Sequence, residues 1–414
     1  METAGEAANA GTMESSAQIP VHRPMTRTLL VRAAWTLALL AIAVLFVRTF
    51  VGDVYHVDSG SMEPTLWGAE GGGEWVFVRF SDERPARQDL VVAQRPGDDA
   101  PIVKRALGLP GESVQVSGGD VLVNGRRLAP DASRPPWVVV YDQAVRPLEE
   151  RFPTAAAQRL LWSAGTDFAG LDARAVPRDA NLGLRFFHDP LDDDYLGPDG
   201  ELVRGTSQAS DARVELDVVP SDVGSQLRVG LSEQGDTFQA LVRPVDDGAC
   251  EVSITRRNAF DGLATLASAR IAWPVGESRR IAFQNRDNEL RLEIAGAAPL
   301  SAAYREDALH PSDLLGEGRS YGYRVWFGGD QGRFEFRRVR VLRDFSYTDR
   351  GAFGVGAPCE LGPDEYFLLG DHSSQSRDSR ESGPVHAREI VGRPVAVVWP
   401  PARWRLLRPT ESGS

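Results

Sequence analysis

The chain has 414 residues, long enough for two or three domains, and with 42% hydrophobic and 25% charged residues it has the composition of a globular protein. Its formal net charge of −12 argues against a general nucleic-acid-binding role, because phosphate binding requires a basic surface. The two cysteines, Cys250 and Cys359, and the six histidines show no metal-ligand spacing.

The N-terminal part of the chain contains one long apolar run. Residues 1–28 are mostly small and polar, and we expect a disordered cytoplasmic tail. The segment 29–49 is apolar and about long enough to span a bilayer. Arginines precede this segment and acidic residues follow it, so the positive-inside rule places the N-terminus in the cytoplasm and the rest of the chain outside. A cleaved signal peptide is the rival interpretation, but Arg48-Thr49-Phe50 stands where small residues would be expected.

The remainder of the chain is predicted to be mainly β. Short apolar or alternating runs such as "EWVFVRF", separated by glycine and proline, occur in 50–140 and return in 352–407. Between them, a mixed connecting region, 141–183, precedes a longer series of alternating strands, 184–345, which is typical of an antiparallel β-sandwich. We therefore predict one core domain made of two separate parts of the chain, with a sandwich inserted between them.

Lys104 is the only lysine among the 46 basic residues, and all the others are arginines. Arginine keeps its proton at physiological pH, whereas a buried lysine can lose it, so a lysine within the apolar run "PIVKRALGL" is a candidate general base. Alternation along a strand directs Arg105 to the opposite face, where it can be solvated. A surface lysine at a strand end is the alternative interpretation of Lys104.

Two serines, Ser59 and Ser61, follow the apolar run in "SGSMEPTL". A serine must be activated by a base before it can attack a carbonyl, and histidine or lysine can serve. A Ser-His-Asp triad stays open as an alternative, because triads assemble in space. Its histidine could be His56 or His372, and Asp371 directly precedes His372. The G-x-S-x-G elbow and the strand–helix alternation that accompanies it are both absent, which makes the triad the weaker hypothesis.

Three segments resemble, in the same order, the signature blocks of bacterial type I signal peptidases. They are "SGSMEPTL" (59–66), "IVKRALGLPGE" (102–112) and "GDHSSQSRDSR" (370–380). "DVLVNGRRL" (120–128) is similar to the strand that follows the lysine block in that family, and the single N-terminal anchor is similar as well. The resemblance implies a signal-peptidase β-fold for the core domain and a serine endopeptidase activity with a Ser-Lys dyad.

The resemblance also implies roles for individual residues. Ser61 corresponds to the nucleophile, and Lys104 to the general base that takes its proton. The hydroxyl of Ser59, with the backbone N–H of Ser61, corresponds to the oxyanion hole. Four further positions correspond to supporting residues: Ser376 orients the lysine, Asp378 and Arg380 form an ion pair, and Arg105 is structural. The family usually has proline where Asp58 stands, so this chain has an additional carboxylate near the site.

The partners follow from the same resemblance. The substrates would be the signal peptides of exported preproteins, cleaved at the outer, periplasmic face of the inner (plasma) membrane, and the lipid bilayer would hold the anchor. The mechanism needs no metal and no organic cofactor. The inserted sandwich resembles concanavalin-like sandwiches in strand pattern only. Whether it binds a ligand of its own stays open. The alternative function is a membrane-tethered binding module whose sandwich binds carbohydrate or protein beside an inactive peptidase core.

Overall fold

The computed structural model describes residues 25–68, 72–81, 83–95, 100–128, 137–165, 167–188, 191–209, 211–233, 236–246, 248–258, 262–305 and 324–407. The chain divides into two compact units, Met1–Gly52 and Asp53–Ser414. Most of the predicted N-terminal tail, up to residue 24, lies outside the described residues.

The first unit contains one long helix, α1 (Met25–Phe50). Its stretch Leu29–Phe50 is 22 residues long, apolar and exposed, so by length and composition it can cross a membrane. At 1.5 Å per residue this stretch extends about 33 Å, close to the thickness of a bilayer's hydrocarbon core. The hydroxyls of Thr36 and Thr49 donate hydrogen bonds to carbonyl oxygens one turn earlier, at 2.9 Å and 2.8 Å, so that neither polar group would face lipid without a partner.

The second unit is built of short strands, as predicted, and the mainly β fold is confirmed. The strands of its first part are β1 (Gly52–Val57), β2 (Glu74–Phe80), β3 (Leu90–Ala93), β4 (Ile102–Gly108), β5 (Ser113–Ser117), β6 (Asp120–Val123) and β7 (Arg126–Arg127). The strands of its middle part are β8 (Val138–Asp142), β9 (Trp162–Ala164), β10 (Ala169–Asp172), β11 (Leu184–Phe186), β12 (Tyr195–Leu196), β13 (Leu202–Val203), β14 (Ala212–Pro220), β15 (Gln226–Glu233), β16 (Asp236–Pro244), β17 (Ala249–Asn258), β18 (Gly262–Ala272), β19 (Arg279–Arg286), β20 (Glu289–Ile294), β21 (Leu300–Ala303), β22 (Arg324–Asp330) and β23 (Arg333–Arg343).

The last part of the chain adds β24 (Cys359–Glu360), β25 (Glu365–Leu369), β26 (Val385–His386), β27 (Ile390–Trp399) and β28 (Arg405–Leu406). Among its described residues the second unit also has two one-turn helices, α2 (Leu148–Arg151) and α3 (Ser379–Ser382). Its 3-10 turns are Gly60–Met62, Ala156–Gln158, Asn181–Gly183, Ser373–Gln375, Ala387–Glu389 and Pro401–Arg403.

Strands from both ends of the second unit share one sheet, which we call the core sheet. Its order is β1-β2-β27-β3-β4-β25-β26, with β28 paired to β27. The late strand β27 lies antiparallel between β2 and β3, and β25 lies antiparallel beside β4. A smaller sheet, β24-β5-β6-β7, is likewise made from both ends. Segments more than 250 residues apart in sequence therefore pair side by side.

The middle strands form two further sheets, which we call the sandwich. One has the order β21-β20-β19-β14-β23-β10-β9, with β8 on β23, and the other β11-β22-β15-β16-β17-β18. Buried and partly exposed residues alternate strictly along β16, so its apolar side chains enter one shared core. Leu216 and Phe283 of the first sheet and Val229 and Phe327 of the second belong to this core.

The predicted connecting region, 141–183, contains two strands of the sandwich. β10 pairs with β23 from Ala169 to Asp172, and β9 pairs with β10. The side chains of Trp162 and Leu171 are buried in the sandwich core. Strands of three or four residues show too little alternation to be recognised from sequence. The exact domain boundaries remain a prediction.

Candidate active site

Ser61 lies in a tight turn directly after the edge strand β1. The 3-10 turn Gly60–Met62 buries all three of its residues, and the side chain of Ser61 is 5% exposed. Two backbone hydrogen bonds shape the segment, from Glu63 N to Gly60 O at 3.0 Å and from Leu66 N to Met62 O at 2.9 Å. A third, from His372 N to Ser61 O at 3.0 Å, ties the turn to the loop after β25. The position of Ser61 is thus fixed by backbone contacts on both sides.

Lys104 reaches Ser61 from strand β4. Its Nζ lies 2.5 Å from Ser61 Oγ, and the lysine side chain is 3% exposed. Burial lowers the pKa of Lys104 from 10.5 to about 8; the carboxylates of Asp378 and Asp371 oppose this shift, and Arg380 adds to it. An appreciable fraction of this amine is therefore neutral near pH 8 and able to accept the hydroxyl proton of Ser61.

Ser59 stands beside the pair at the surface. Its Oγ is 3.3 Å from Ser61 Oγ, and its backbone is extended, with φ −125° and ψ 149°. A second hydroxyl is therefore present within hydrogen-bond reach of the attacking atom. Asp58 is exposed, and the carboxylates that act on the pKa of Lys104 are those of Asp378 and Asp371.

Arg105 is buried rather than solvated, which corrects the expectation drawn from strand alternation. Its side chain is 2% exposed and forms a bidentate ion pair with Asp371, with Nε–Oδ1 at 2.8 Å and Nη2–Oδ2 at 2.7 Å. Asp371 also accepts a hydrogen bond of 2.5 Å from the Thr65 hydroxyl. The expectation failed because both faces of this central strand are covered, so alternation does not imply exposure on either side. The ion pair joins β4 to the loop after β25, and the hydrogen bond from Thr65 extends this link to the segment after Ser61.

Asp378 and Arg380 form a second buried ion pair. The guanidinium donates to both carboxylate oxygens at 2.9 Å and 2.8 Å, and Gly370 N donates to Asp378 Oδ2 at 3.1 Å. Arg380 also donates to the carbonyl oxygens of Thr348 at 3.0 Å and Ser373 at 2.9 Å. The pair therefore holds together the loop that follows β25.

Ser376 lies close to the Ser61 segment without a hydrogen bond to Lys104. Its Oγ is buried and has no hydrogen-bond partner among the described residues. A Cβ added at Gly370 would come within 2.1 Å of Ser376 Oγ and 2.5 Å of Ser61 O, so only glycine permits this approach. The hydrogen bond by which Ser376 was expected to orient the lysine is therefore not made in this structure.

Neither histidine of the alternative triad is bonded to the Ser61 hydroxyl. The exposed ring of His56 packs against Trp75 with centroids 4.9 Å apart. The buried ring of His372 instead faces Tyr195, whose hydroxyl is 3.4 Å from Nδ1, and Asp193, whose Oδ2 is 3.7 Å from Nε2. Burial lowers the pKa of His372, which favours a neutral ring. The geometry thus favours lysine over histidine as the base.

Sequence reasoning missed three residues that surround this site. Glu63 is 1% exposed, and its Oε1 accepts a hydrogen bond of 2.9 Å from Gly68 N. Tyr195 donates its hydroxyl to the other carboxylate oxygen of Glu63, and Asp193 faces His372. Both Tyr195 and Asp193 lie in the middle part of the chain, outside every recognised block, so no local signal pointed to them.

The described residues include no group of three or more histidine, cysteine, aspartate or glutamate side chains arranged to hold a metal ion. Cys250 and Cys359 are both free thiols.

The chain is similar to known signal peptidases in two segments. A model of the family "Signal peptidase, peptidase S26" matches residues 30–160 and 334–399. A signal peptidase I of Leptolyngbya laminosa is 34% identical over 122 residues, covering 27% of this chain and 59% of the relative. The signal peptidase I P of Bacillus subtilis subsp. natto is 36% identical over 95 residues, covering 22% of this chain and 51% of the relative. The chain therefore spans only about half the length of these relatives.

Solved structures match weakly. A carbohydrate binding module, CBM66 of Bacillus subtilis, has 10% identity and a TM-score of 0.24, covering 44% of this chain and 88% of that one, and supports no conclusion at this score. The family match contains Ser61 and Lys104 in its first segment and the loop after β25 in its second. In these two segments the chain is therefore similar to signal peptidases of the peptidase S26 family.

Proposed function

We propose that this protein is a membrane-anchored serine endopeptidase that removes signal peptides from exported preproteins. Ser61 is the nucleophile and Lys104 the general base. The observation that supports this most directly is the 2.5 Å approach of Lys104 Nζ to Ser61 Oγ in a buried setting that lowers the lysine pKa to about 8. A surface lysine would keep its proton at neutral pH and could not serve as the base.

The acylation step begins with attack of Ser61 Oγ on the scissile carbonyl carbon. Neutral Lys104 accepts the hydroxyl proton as the C–O bond forms. The backbone N–H of Ser61 and the hydroxyl of Ser59 donate to the resulting oxyanion. Such donors are each worth about 3 kcal/mol in related sites. The lysine ammonium then gives its proton to the leaving amine, the C–N bond breaks, and an ester to Ser61 remains.

Deacylation repeats the proton transfers with water as the nucleophile. Neutral Lys104 takes a proton from the water as it attacks the ester carbonyl. The ammonium returns that proton to Ser61 Oγ as the ester bond breaks. The signal peptide then leaves with a free carboxylate, and both side chains regain their starting protonation states.

An extended substrate can bind by adding a strand at the edge of the core sheet. β1 is the terminal strand of that sheet in the part of the chain that the structure describes, and the Ser61 turn follows it. β25 pairs with the second half of β4, from Arg105 to Gly108, which leaves Lys104 outside that pairing. Main-chain hydrogen bonds to such an edge would hold a signal peptide extended beside the dyad.

The helix α1 is proposed as the anchor, with the N-terminus in the cytoplasm and the catalytic unit at the outer face. Arginines cluster before the apolar stretch and acidic residues follow it, which supports this orientation. Protease accessibility in sealed inside-out and right-side-out vesicles distinguishes the two orientations. Digestion of the catalytic unit in right-side-out vesicles is the expected result, and protection there would contradict the proposal.

Cleavage of a preprotein by the full chain in liposomes tests the function. We expect Ser61→Ala and Lys104→Ala each to abolish cleavage at the signal-peptide junction. Ser221→Ala, which alters an exposed serine, is the matched control and should retain full activity. Full activity in either dyad variant would refute the dyad. A wild-type chain that cleaves no preprotein would favour the alternative of a binding module with an inactive core.

A further inference from the structure

Among the described residues, one short segment of the middle part of the chain contacts the active-site loops closely. We call residues 193–207 the Tyr195 hairpin; it includes β12 and β13, which pair antiparallel. Tyr195 is 1% exposed, and its nearest aromatic neighbours are Trp67 and His372, with ring centroids at 5.9 Å and 5.1 Å. Both neighbours belong to the core part of the chain, one shortly after Ser61 and the other after β25.

The Tyr195 hydroxyl stabilises a buried carboxylate next to the nucleophile. Glu63 Oε2 accepts the hydrogen bond from Tyr195. Glu63 Oε1 accepts a hydrogen bond of 2.9 Å from Gly68 N, which closes the loop between residues 63 and 68. A Cβ at Gly60 would lie 3.3 Å from Glu63 Oε2, so the carboxylate sits against the turn that holds Ser61. A buried carboxylate that loses a donor must find another or move, and the Ser61 turn would move with it.

Asp193 makes the second contact, through His372. Asp193 Oδ2 and His372 Nε2 are both buried, both lack a hydrogen-bond partner among the described residues, and lie 3.7 Å apart. His372 in turn donates its backbone N–H to the carbonyl oxygen of Ser61 at 3.0 Å. The other oxygen of Asp193 accepts from Thr206 N at 2.7 Å and Ser207 N at 2.8 Å, which holds the carboxylate in place.

Arg343 fixes the hairpin to the sandwich. It ends β23, is 1% exposed, and donates to the carbonyl oxygens of Asp193 and Asp194, both at 2.8 Å. Its backbone pairs with Ala212 of β14 and Val138 of β8. A continuous set of contacts therefore runs from the sandwich sheet, through the hairpin, to the residues on both sides of Ser61.

We propose that Tyr195 and Asp193 are positioning residues, through which the inserted sandwich sets the position of Ser61 relative to Lys104. The sandwich is then a part of the active-site framework and not only a spacer. This inference rests on the proposed peptidase function. It predicts that changes in the hairpin alter the rate of the chemical step more than substrate binding, because both residues act through the position of the Ser61 nucleophile.

Steady-state cleavage of a preprotein by full-length Tyr195→Phe and Asp193→Asn variants tests the inference. Both changes preserve shape, and we expect kcat to fall about tenfold in each while KM stays within about twofold, as for loss of one hydrogen bond that acts on the transition state. Tyr141→Phe is the matched control, because that buried hydroxyl donates to Arg146 O at 3.1 Å and its ring packs in the sandwich core. Its kcat should be unchanged.

A double-variant cycle separates positioning from general destabilisation. If Tyr195 acts through Glu63, adding Tyr195→Phe to Glu63→Gln should produce little further loss of kcat. Thermal unfolding midpoints should fall by similar amounts in Tyr195→Phe and Tyr141→Phe. Wild-type kcat in both Tyr195→Phe and Asp193→Asn would overturn the inference, as would equal losses of kcat in Tyr195→Phe and Tyr141→Phe. Cleavage by Ser61→Ala, in contrast, would overturn the proposed function itself.

Discussion

Replacing Lys104 with methionine separates the two consequences of burying a lysine. The proposed mechanism needs the amine as a base, but burying its charged form destabilises the folded state. Methionine has a similar length and no charge, so it should fill the same space without leaving a cavity. We therefore expect Lys104→Met to be inactive and more stable than the wild type.

The size of the effect follows from the pKa. Lowering the pKa of Lys104 from 10.5 in the unfolded chain to about 8 in the folded protein costs about 3 kcal/mol at pH 7. This cost already includes the attraction of Asp378 and Asp371. Losing the hydrogen bond between Nζ and Ser61 Oγ offsets about 1 kcal/mol. The expected net gain in the free energy of unfolding is about 2 kcal/mol.

The stability difference between Lys104→Met and the wild type should depend on pH with a definite sign. Because the folded-state pKa is the lower one, the cost is complete below about pH 8, decreases as the pH rises from 8 toward 10.5, and disappears above that. The stability advantage of Lys104→Met should therefore shrink across this range. A difference in the free energy of unfolding that stays constant across this pH range would show that some other feature of the substitution causes the added stability.

Urea unfolding of the full chain in detergent, followed by tryptophan fluorescence, measures the difference from the transition midpoints. Ser61→Ala is the control, because it is also expected to be inactive but keeps the buried lysine. It should be no more stable than the wild type. If Lys104→Met and Ser61→Ala have equal stability at pH 7, the reasoning from lysine burial is wrong.

Four further predictions follow from the site. The kcat/KM for preprotein cleavage should rise with pH and level off above a midpoint of about 8, since only neutral Lys104 accepts the proton; a profile flat from pH 6 to 9 would contradict this. Ser59→Ala should lower kcat about 100-fold in steady-state assays with little change in KM, and an unchanged kcat would remove this hydroxyl from the oxyanion hole. Arg105→Met should cost about 3 to 5 kcal/mol in urea unfolding, because it leaves the Asp371 carboxylate buried without its cation, and a loss below 1 kcal/mol would argue against that account. Cys250 should resist thiol reagents in the folded protein and react after unfolding, since burial raises its thiol pKa to about 11; rapid native labelling would contradict it.

Local patterns in the sequence were sufficient to predict most of the secondary-structure elements and to single out Ser61 and Lys104 as candidates. Strand alternation located most strands of the core sheet and the sandwich, because a half-buried strand must alternate apolar and polar side chains. The apolar stretch near the N-terminus predicted a helix able to cross a membrane, since an all-apolar surface has no other stable environment than lipid or a large core. Lys104 was conspicuous because every other basic residue is arginine.

Pairings between distant residues required the tertiary structure. Arg105 was expected in solvent, yet it is buried against Asp371, 266 residues away, because consecutive residues of β4 are buried there and neither face of the strand is open to solvent. Strands β9 and β10 are so short that only their pairing, β10 with β23 and β9 with β10, identifies them. Ser376, expected to contact the lysine, is instead packed against Gly370.

The sequence by itself predicted a helix apolar and long enough to cross a membrane, the β-rich architecture and the proposed roles of Ser61 and Lys104, because composition and strand period act locally along the chain. Only the tertiary structure decided which distant side chains surround that chemistry. Tyr195 and Glu63 are 132 residues apart, and neither belongs to a pattern that points to the other. Their contact arises from how a buried carboxylate obtains its donors once the chain has folded, which no periodicity along the sequence encodes.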